Sequence, residues 1–451
     1  MMKLSKNSYW LTSGLYTILQ RFSTIFLNFG GFYFLVRIYS KSEFGVWALF
    51  TTITALVEVA RNGLIRNAQV RFLSSTETVD HPVINTASLA LNVLFSLFVA
   101  LLIIICAPIF SALWKAPELE TMLYYYVLTI FALLPSSQFE YIQHSKGDFS
   151  GVFMANFVRY SMIFLYIVIG FYFGGDLSLL TLVNFQTFAA LCGSLVAFIY
   201  VRKYLSFSPK VNKEWFYKLF HYGKFTFGTN ISSMLNKNID QAMIGGMLGT
   251  ASVAVYAAAI KISTLIEAPT LSVASIVFPQ SAKRMKEEGA PAVKYLYERS
   301  VGVLLAIIFP ALVFTLIFPK YIILIIAGDG YLDTVPILQV TILYSFFVPY
   351  LRQFGTVLDS IGKPKLNFYF VIGGAGLNAL FNYFFISRYG VIGATYGTLS
   401  SFVIVFILNQ LILSRIIGVE TKNTFYYAKK VYVDGFYLIM IKLKLIKPQP
   451  K

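Results

Sequence analysis

Charge is scarce in this 451-residue chain: 13% of its residues are Asp, Glu, Lys or Arg, against about 25% in an ordinary soluble domain. Such a chain cannot clothe a large water-facing surface, which excludes a soluble domain of useful size. Cysteine is nearly absent, and Cys106 and Cys192 both fall in apolar segments, so no disulfide framework holds the fold. The three histidines, His81, His144 and His221, fall in segments read as loops between spans, and no His/Cys/carboxylate group has metal-ligand spacing. No GxxxxGK[ST] loop occurs, which argues against an ATP-driven pump within this chain.

What the chain has instead is apolar length. Hydrophobic residues make up 57% of it, and stretches of twenty or more recur, each long enough to cross a hydrocarbon core of roughly 30 Å. Proline, glycine and charge clusters divide it into about twelve spans, near 10–36, 44–65, 83–110, 119–142, 150–174, 179–201, 225–248, 252–278, 296–318, 335–358, 366–387 and 391–414. The first is too long for a signal-peptide core, so an uncleaved span is expected. The expected fold class is therefore all-α, a polytopic membrane protein with two six-helix lobes. The lobes are 1–205 and 225–415, joined by an amphipathic linker, 206–224, and followed by a basic tail, 416–451.

The 37 Lys and Arg residues set the orientation. Outside the spans they concentrate in alternate loops and both ends, whereas the opposite loops hold only Arg37, Lys41, Lys115, Lys320 and Arg388. The positive-inside rule then places both termini in the cytoplasm. The net charge of +17 faces anionic lipid on that side and does not indicate nucleic acid. In the linker, Trp215, Phe216, Leu219 and Phe220 share a helical stripe with lysines beside it, as an interfacial helix would. A second interfacial helix is expected over 436–446.

Gln138-Phe139, Ser145 and Gly147 recur as Gln353-Phe354, Ser360 and Gly362. At nearly the same offset, Val46, Ala48, Ile53, Leu56 and Glu58 recur as Val255, Ala257, Ile262, Leu265 and Glu267. Together they suggest a duplicated six-span unit, inserted in parallel, as in transporters whose substrate site lies between repeats.

Ionisable residues at membrane depth are costly unless they face protein or water, and so mark candidate sites. Arg21, Arg159, Lys237, Lys261 and Arg352 are candidates for gripping an anionic group, arginine being suited to phosphate oxygens. Asp240 and Glu267 are candidates for coupling Na⁺ or H⁺; no other cofactor is implied. Lys237 and Asp240, three apart, could equally pair with each other. Glu58, Arg61 and Glu140 read as interfacial. Arg21, Lys261 and Arg159 have no carboxylate three or four residues away on their own helix, which favours a cavity-lining role.

Residues 359–401, DSIGKPKLNFYFVIGGAGLNALFNYFFISRYGVIGATYGTLSS, resemble the late Gly-Lys, Asn and Gly-Ala pattern of bacterial polysaccharide flippases of the Wzx type. Asp240 followed by IGGMLG, then Tyr256-Ala257 and Lys261-Ile262, is similar to their span 7 to 8 region, and RIYSKSEFG at 37–45 to their first outer turn. These are members of the multidrug/oligosaccharidyl-lipid/polysaccharide exporter superfamily. The resemblance implies a MATE-like, V-shaped pair of lobes that opens alternately to each side. It implies transfer of an undecaprenyl-diphosphate-linked oligosaccharide to the outer leaflet for O-antigen, lipopolysaccharide, capsule or exopolysaccharide, a transport step and not an enzymatic one. The partners it implies are that substrate, membrane lipids, and the polysaccharide polymerase and chain-length machinery. Cavity cations of such relatives carry over to Arg21 and Lys261. Two rivals stand beside this reading: a drug/cation antiporter of the same fold, which Asp240 and Glu267 would serve, and a polysaccharide polymerase, which the short outer loops disfavour.

Overall fold

The computed structural model describes residues 6–175 and 177–442, and every regular element among them is helical. Ten segments among the described residues are long and apolar enough to cross a bilayer, close to the twelve expected. Helices α1 and α8, which carry expected spans 1 and 7, are the two outside that set. In α8 the polar residues Asn230, Asn236, Lys237, Asn238 and Asp240 lower its apolar character. The chain is a multi-pass membrane protein, and its contacts divide it into two compact units, Met1–Ala254 and Val255–Lys451.

The first unit contains α1 (Lys6–Ile38), α2 (Lys41–Arg61), a π-turn (Asn62–Arg66), α3 (Asn67–Ser75), α4 (His81–Trp114), α5 (Pro117–Lys146), α6 (Phe149–Phe173), α7 (Leu179–Val201) and α8 (Lys213–Leu248). Local chemistry sets the ends. Ser40 and Glu43 form a reciprocal capping box that starts α2. Proline occupies the first turn of α4 and α5, where its missing N–H costs nothing. Gly147, at φ 68°, closes α5 in the left-handed region where a Cβ is disfavoured. Helix α5 packs on α4 and α7, α6 on α1 and α7, and α8 on α2, α4 and the π-turn.

The linker expectation needs correcting. No separate helix lies over 206–224: α8 starts at Lys213, capped by Asn212, and runs without a break to Leu248. No proline interrupts it, and Gly223 is kept because the Leu64 carbonyl occupies the place of its Cβ. Trp215 and Tyr222 pack edge-on against Phe72 of α3, and Leu219 is fully buried. Trp215 and Leu219 of the apolar stripe thus meet protein, whereas Phe220 is exposed. By contacts, α8 belongs with the first unit although hydropathy assigned it to the second lobe.

The second unit begins within α9 (Thr250–Glu287) and continues through α10 (Ala290–Ile317), α11 (Pro319–Ile326), α12 (Val335–Ser345), α13 (Val348–Ser360), α14 (Pro364–Tyr389), α15 (Val391–Ile417) and α16 (Thr421–Lys442). Expected span 10 is broken at Phe346 and Phe347, just before the proline in the first turn of α13. Tyr297, Val301, Tyr350, Phe354 and Leu413 form its core. Gly393 and Gly397 sit against the α14 backbone, so their spacing serves close helix packing. The repeat-related Gln138 and Gln353 are both buried, at 1% and 0% exposure.

The tail helix also differs from expectation. It starts at Thr421, earlier than 436, and packs along α10; the part of the expected helix beyond 442 lies outside the described residues. Glu298, buried in α10, accepts hydrogen bonds from the Glu420 backbone N–H (2.8 Å) and the Asn423 side chain (3.0 Å). The Tyr350 hydroxyl meets that of Thr424, and Tyr432 donates to the Ala306 carbonyl. A hydrogen bond from Lys294 and another from Lys422 hold the Glu420 carboxyl down at about 2. A carboxyl lowered on folding stabilises above its unfolded value and loses that contribution as pH falls through its folded one. Acidification from pH 4.5 towards 2 is therefore expected to loosen the start of α16, read by hydrogen exchange at 420–424. Glu420→Gln should flatten that part of the profile.

A candidate site with excess positive charge

In the first unit α2, α5 and α6 bring together two arginines and one carboxylate. Arg159 Nη2 of α6 donates to Glu58 Oε1 of α2 at 2.8 Å, with the side chains 20% and 37% exposed, so the pair opens on one side. The guanidinium also lies over the Tyr160 ring, 5.1 Å from its centroid, which supplies favourable cation–π contact. Arg61, one turn beyond Glu58, is only 4% exposed. Its Nη2 donates to Ser96 Oγ and to the Ile130 carbonyl, both at 3.3 Å, while its Nε has no partner among the described residues. Arg61 thus stands near the Arg159–Glu58 pair with no carboxylate bonded to it among the described residues, and the three side chains together carry a charge of +1 at membrane depth.

A polar seam runs on from Arg61 along α4, where Asn85, Ser88, Asn92 and Ser96 recur every three or four residues and so face one way. Ser88 donates to Gln69, Gln69 to Asn85, and Asn92 to Ser137. In lipid such groups are best satisfied internally, and these hydrogen bonds do so for most of the seam, although Asn92 Oδ1 has no partner among the described residues.

The structure departs from the sequence reading here. Arg159 does have a carboxylate partner, on another helix and 101 residues away, so the search along its own helix could not find it. Glu58 and Arg61, read as interfacial, belong to this cluster. Asp240 is buried at 5%, while Lys237, three residues before it on α8, is exposed. Arg21 is exposed on α1.

In the second unit Lys261 is exposed on α9. Glu267, two turns further on, accepts a hydrogen bond from Ser345 Oγ at 3.0 Å, at the break between α12 and α13. Arg352 of α13 is exposed and within electrostatic reach of Glu267. Nearby, Ser263 donates to Thr341 at 2.9 Å. The histidines expected in loops lie on helices: His81 opens α4, His144 is in α5 and His221 in α8. No group of three or more metal-ligating side chains occurs among the described residues.

Apolar helices enclosing a few paired charges and a polar seam define a membrane protein with a hydrophilic interior, the class to which transporters belong. Residues 34–336 match the family described as polysaccharide biosynthesis protein. The chain belongs to that family. It is 22% identical over 217 residues to the probable low-salt glycan biosynthesis flippase Agl15 of Haloferax volcanii, covering 45% of this chain and 43% of that one. It is 23% identical over 291 residues to the teichuronic acid biosynthesis protein TuaB of Bacillus subtilis, covering 63% and 58%. The match thus spans about half the length of these relatives. Among solved structures, lipid II flippase MurJ in an inward closed conformation superposes with TM-score 0.74 at 16% identity, over 96% of this chain and 94% of that chain. An inward-facing MATE family multidrug transporter gives 0.72 at 14%, over 87% and 95%. These likenesses show the fold, and the expected MATE-like all-α class is the one found.

Proposed function

We propose that this protein is a lipid-linked oligosaccharide flippase, a transporter and not an enzyme. It carries an undecaprenyl-diphosphate-linked sugar repeat unit from the inner to the outer leaflet of a bacterial cytoplasmic membrane, with both termini in the cytoplasm. The observation that carries this reading is the cation excess of Glu58, Arg61 and Arg159 inside a membrane chain of the polysaccharide biosynthesis family. A diphosphate cannot enter hydrocarbon unaided. An interior that is positive at membrane depth lowers that barrier, and Arg159, partly exposed beside its carboxylate, can exchange Glu58 oxygens for phosphate oxygens. Arg21, Lys237, Lys261 and Arg352 are the other proposed phosphate contacts. The flippase descriptions of Agl15 and MurJ support the same assignment.

Asp240 and Glu267 are the proposed coupling groups for Na⁺ or H⁺, in an alternating-access cycle that hands the repeat unit to polysaccharide polymerase and chain-length machinery. The buried carboxylate of Asp240 also suits a drug/cation antiporter, and the test separates the two. In proteoliposomes, wild type is expected to transfer a fluorescent undecaprenyl-diphosphate oligosaccharide between leaflets. Arg159→Ala, Arg21→Ala and Lys261→Ala should each slow transfer at least ~10-fold, the loss of one charge-assisted contact of about 1.5 kcal/mol. Cation-driven drug exchange with no oligosaccharide transfer would sink the proposal.

A further inference from the structure

Two histidines hold the basic-loop end of the first unit in an arrangement the flippase reading does not use. His81 is 7% exposed. Its Nδ1 lies 2.9 Å from Lys146 Nζ of α5, and its Nε2 lies 3.4 Å from the Thr76 carbonyl. An ammonium can only donate and a carbonyl can only accept. The ring therefore carries its proton on Nε2 and accepts from Lys146 through Nδ1, which makes it neutral and fully engaged.

His144 faces a different choice. Its Nε2 lies 3.3 Å from Arg66 Nη2, at the end of the π-turn, and 3.4 Å from Glu140 Oε1 one turn back on α5. One nitrogen cannot serve both. As a lone pair it accepts from Arg66, with the ring proton on Nδ1; as an N–H it donates to Glu140, and the ring is then an imidazolium set against the guanidinium.

The other groups around these rings are already engaged. The Phe149 ring of α6 stands edge-on to His144, 5.3 Å away. Glu140 takes a hydrogen bond from Asn156 of α6 and also lies within electrostatic reach of Arg66, and the Tyr141 hydroxyl of α5 donates to Asn62 at 3.2 Å. Asp148, in the α5–α6 turn, binds Lys203 beyond α7 at 2.9 Å.

We propose that His81 and His144 are a pair of proton-binding sites: neutral, they clasp α5 to α4 and to the π-turn, and protonated, they release it. Each uptake is one proton from solvent onto one imidazole nitrogen. At His81 the proton displaces Lys146 from Nδ1. At His144 it displaces Arg66 from Nε2 and turns the ring to Glu140. Both clasps break in the same direction because each is a hydrogen bond from a permanent cation to a neutral ring. The π-turn is fastened on its other side to α8, through Thr226 and the Gly63 carbonyl, so the release reaches the α2–α8 contact.

The test uses the full chain in lipid nanodiscs, with the proton as the ligand. Hydrogen exchange, corrected for the intrinsic effect of pH, should show protection over 62–75 and 140–146 falling at least ~10-fold from pH 8 to 5. In His81→Gln/His144→Gln, whose amide oxygens accept from Lys146 and Arg66 but do not titrate, protection should stay high at both pH values. Imidazole ¹⁵N spectra of the wild type supply a second readout that needs no variant: at pH 8 His81 should be the Nε2–H tautomer and His144 the Nδ1–H tautomer. Equal loss of protection in the double variant, or titration of both rings with unchanged exchange, would overturn the proposal.

Discussion

Alanine at Gly223 is expected to destabilise the first unit by roughly 2 kcal/mol or more, the cost of forcing volume into a closed contact, while alanine at Gly228, five residues along the same helix, is neutral or stabilising. A Cβ at Gly223 would lie 1.9 Å from the Leu64 carbonyl oxygen and 2.8 Å from its carbon. Both are backbone atoms of the π-turn and cannot swing aside as a side chain would. That carbonyl belongs to a wide turn, in which the Asn67 N–H reaches back five residues to Asn62, and such turns in long helices mark functional positions. Thr226 of α8 donates to the neighbouring Gly63 carbonyl, and a Cβ at Gly63 would come within 2.9 Å of Phe227 Cα. The two helices are locked where each lacks a side chain. At Gly228 nothing lies within 4 Å, so only the helix preference for alanine acts, worth up to about 1 kcal/mol. Thermal unfolding of both variants in one detergent measures the opposite signs. Equal midpoints would mean that the α2–α8 contact contributes nothing.

Glu58→Gln should be nearly as damaging, and its cause is separable. It leaves Arg159 and Arg61 at membrane depth with no carboxylate between them. Breaking a buried pair by removing one partner costs about 3 to 5 kcal/mol, and because Glu58 is 37% exposed a discounted loss of about 1 to 3 kcal/mol is expected. The double variant Glu58→Gln/Arg159→Gln removes both charges and should recover most of the loss, since it restores the wild-type local charge of +1, now carried by Arg61 alone. A double-mutant cycle reads the coupling directly. Additive losses would show that the two side chains do not sense one another, and that the excess charge assigned to the site resides elsewhere.

How much of this was legible beforehand differs between the fold and the site. The π-turn has no periodic signature, because one extra residue within a continuous apolar stretch leaves hydropathy unchanged. Likewise the stripe through Trp215 and Leu219 stated that one face of the linker is covered, but not whether lipid or protein covers it. Pairing Lys237 with Asp240 rested on the geometry of one helix, and that spacing does not tell that Asp240 is buried while Lys237 is exposed.

By itself the sequence determined that this is an all-helical membrane chain, roughly where most of its spans lie, and the family to which it belongs. Those properties depend on local composition: sparse charge over bilayer-length stretches, prolines in first turns, glycines at left-handed ends. Only the tertiary structure decided that Glu58 meets Arg159, that Arg61 stands beside them without a carboxylate of its own, and that His81 and His144 each rest against a cation. Such partners sit on different helices, up to 101 residues apart. Their meeting is set by which helix faces pack together, and no spacing along the chain encodes that.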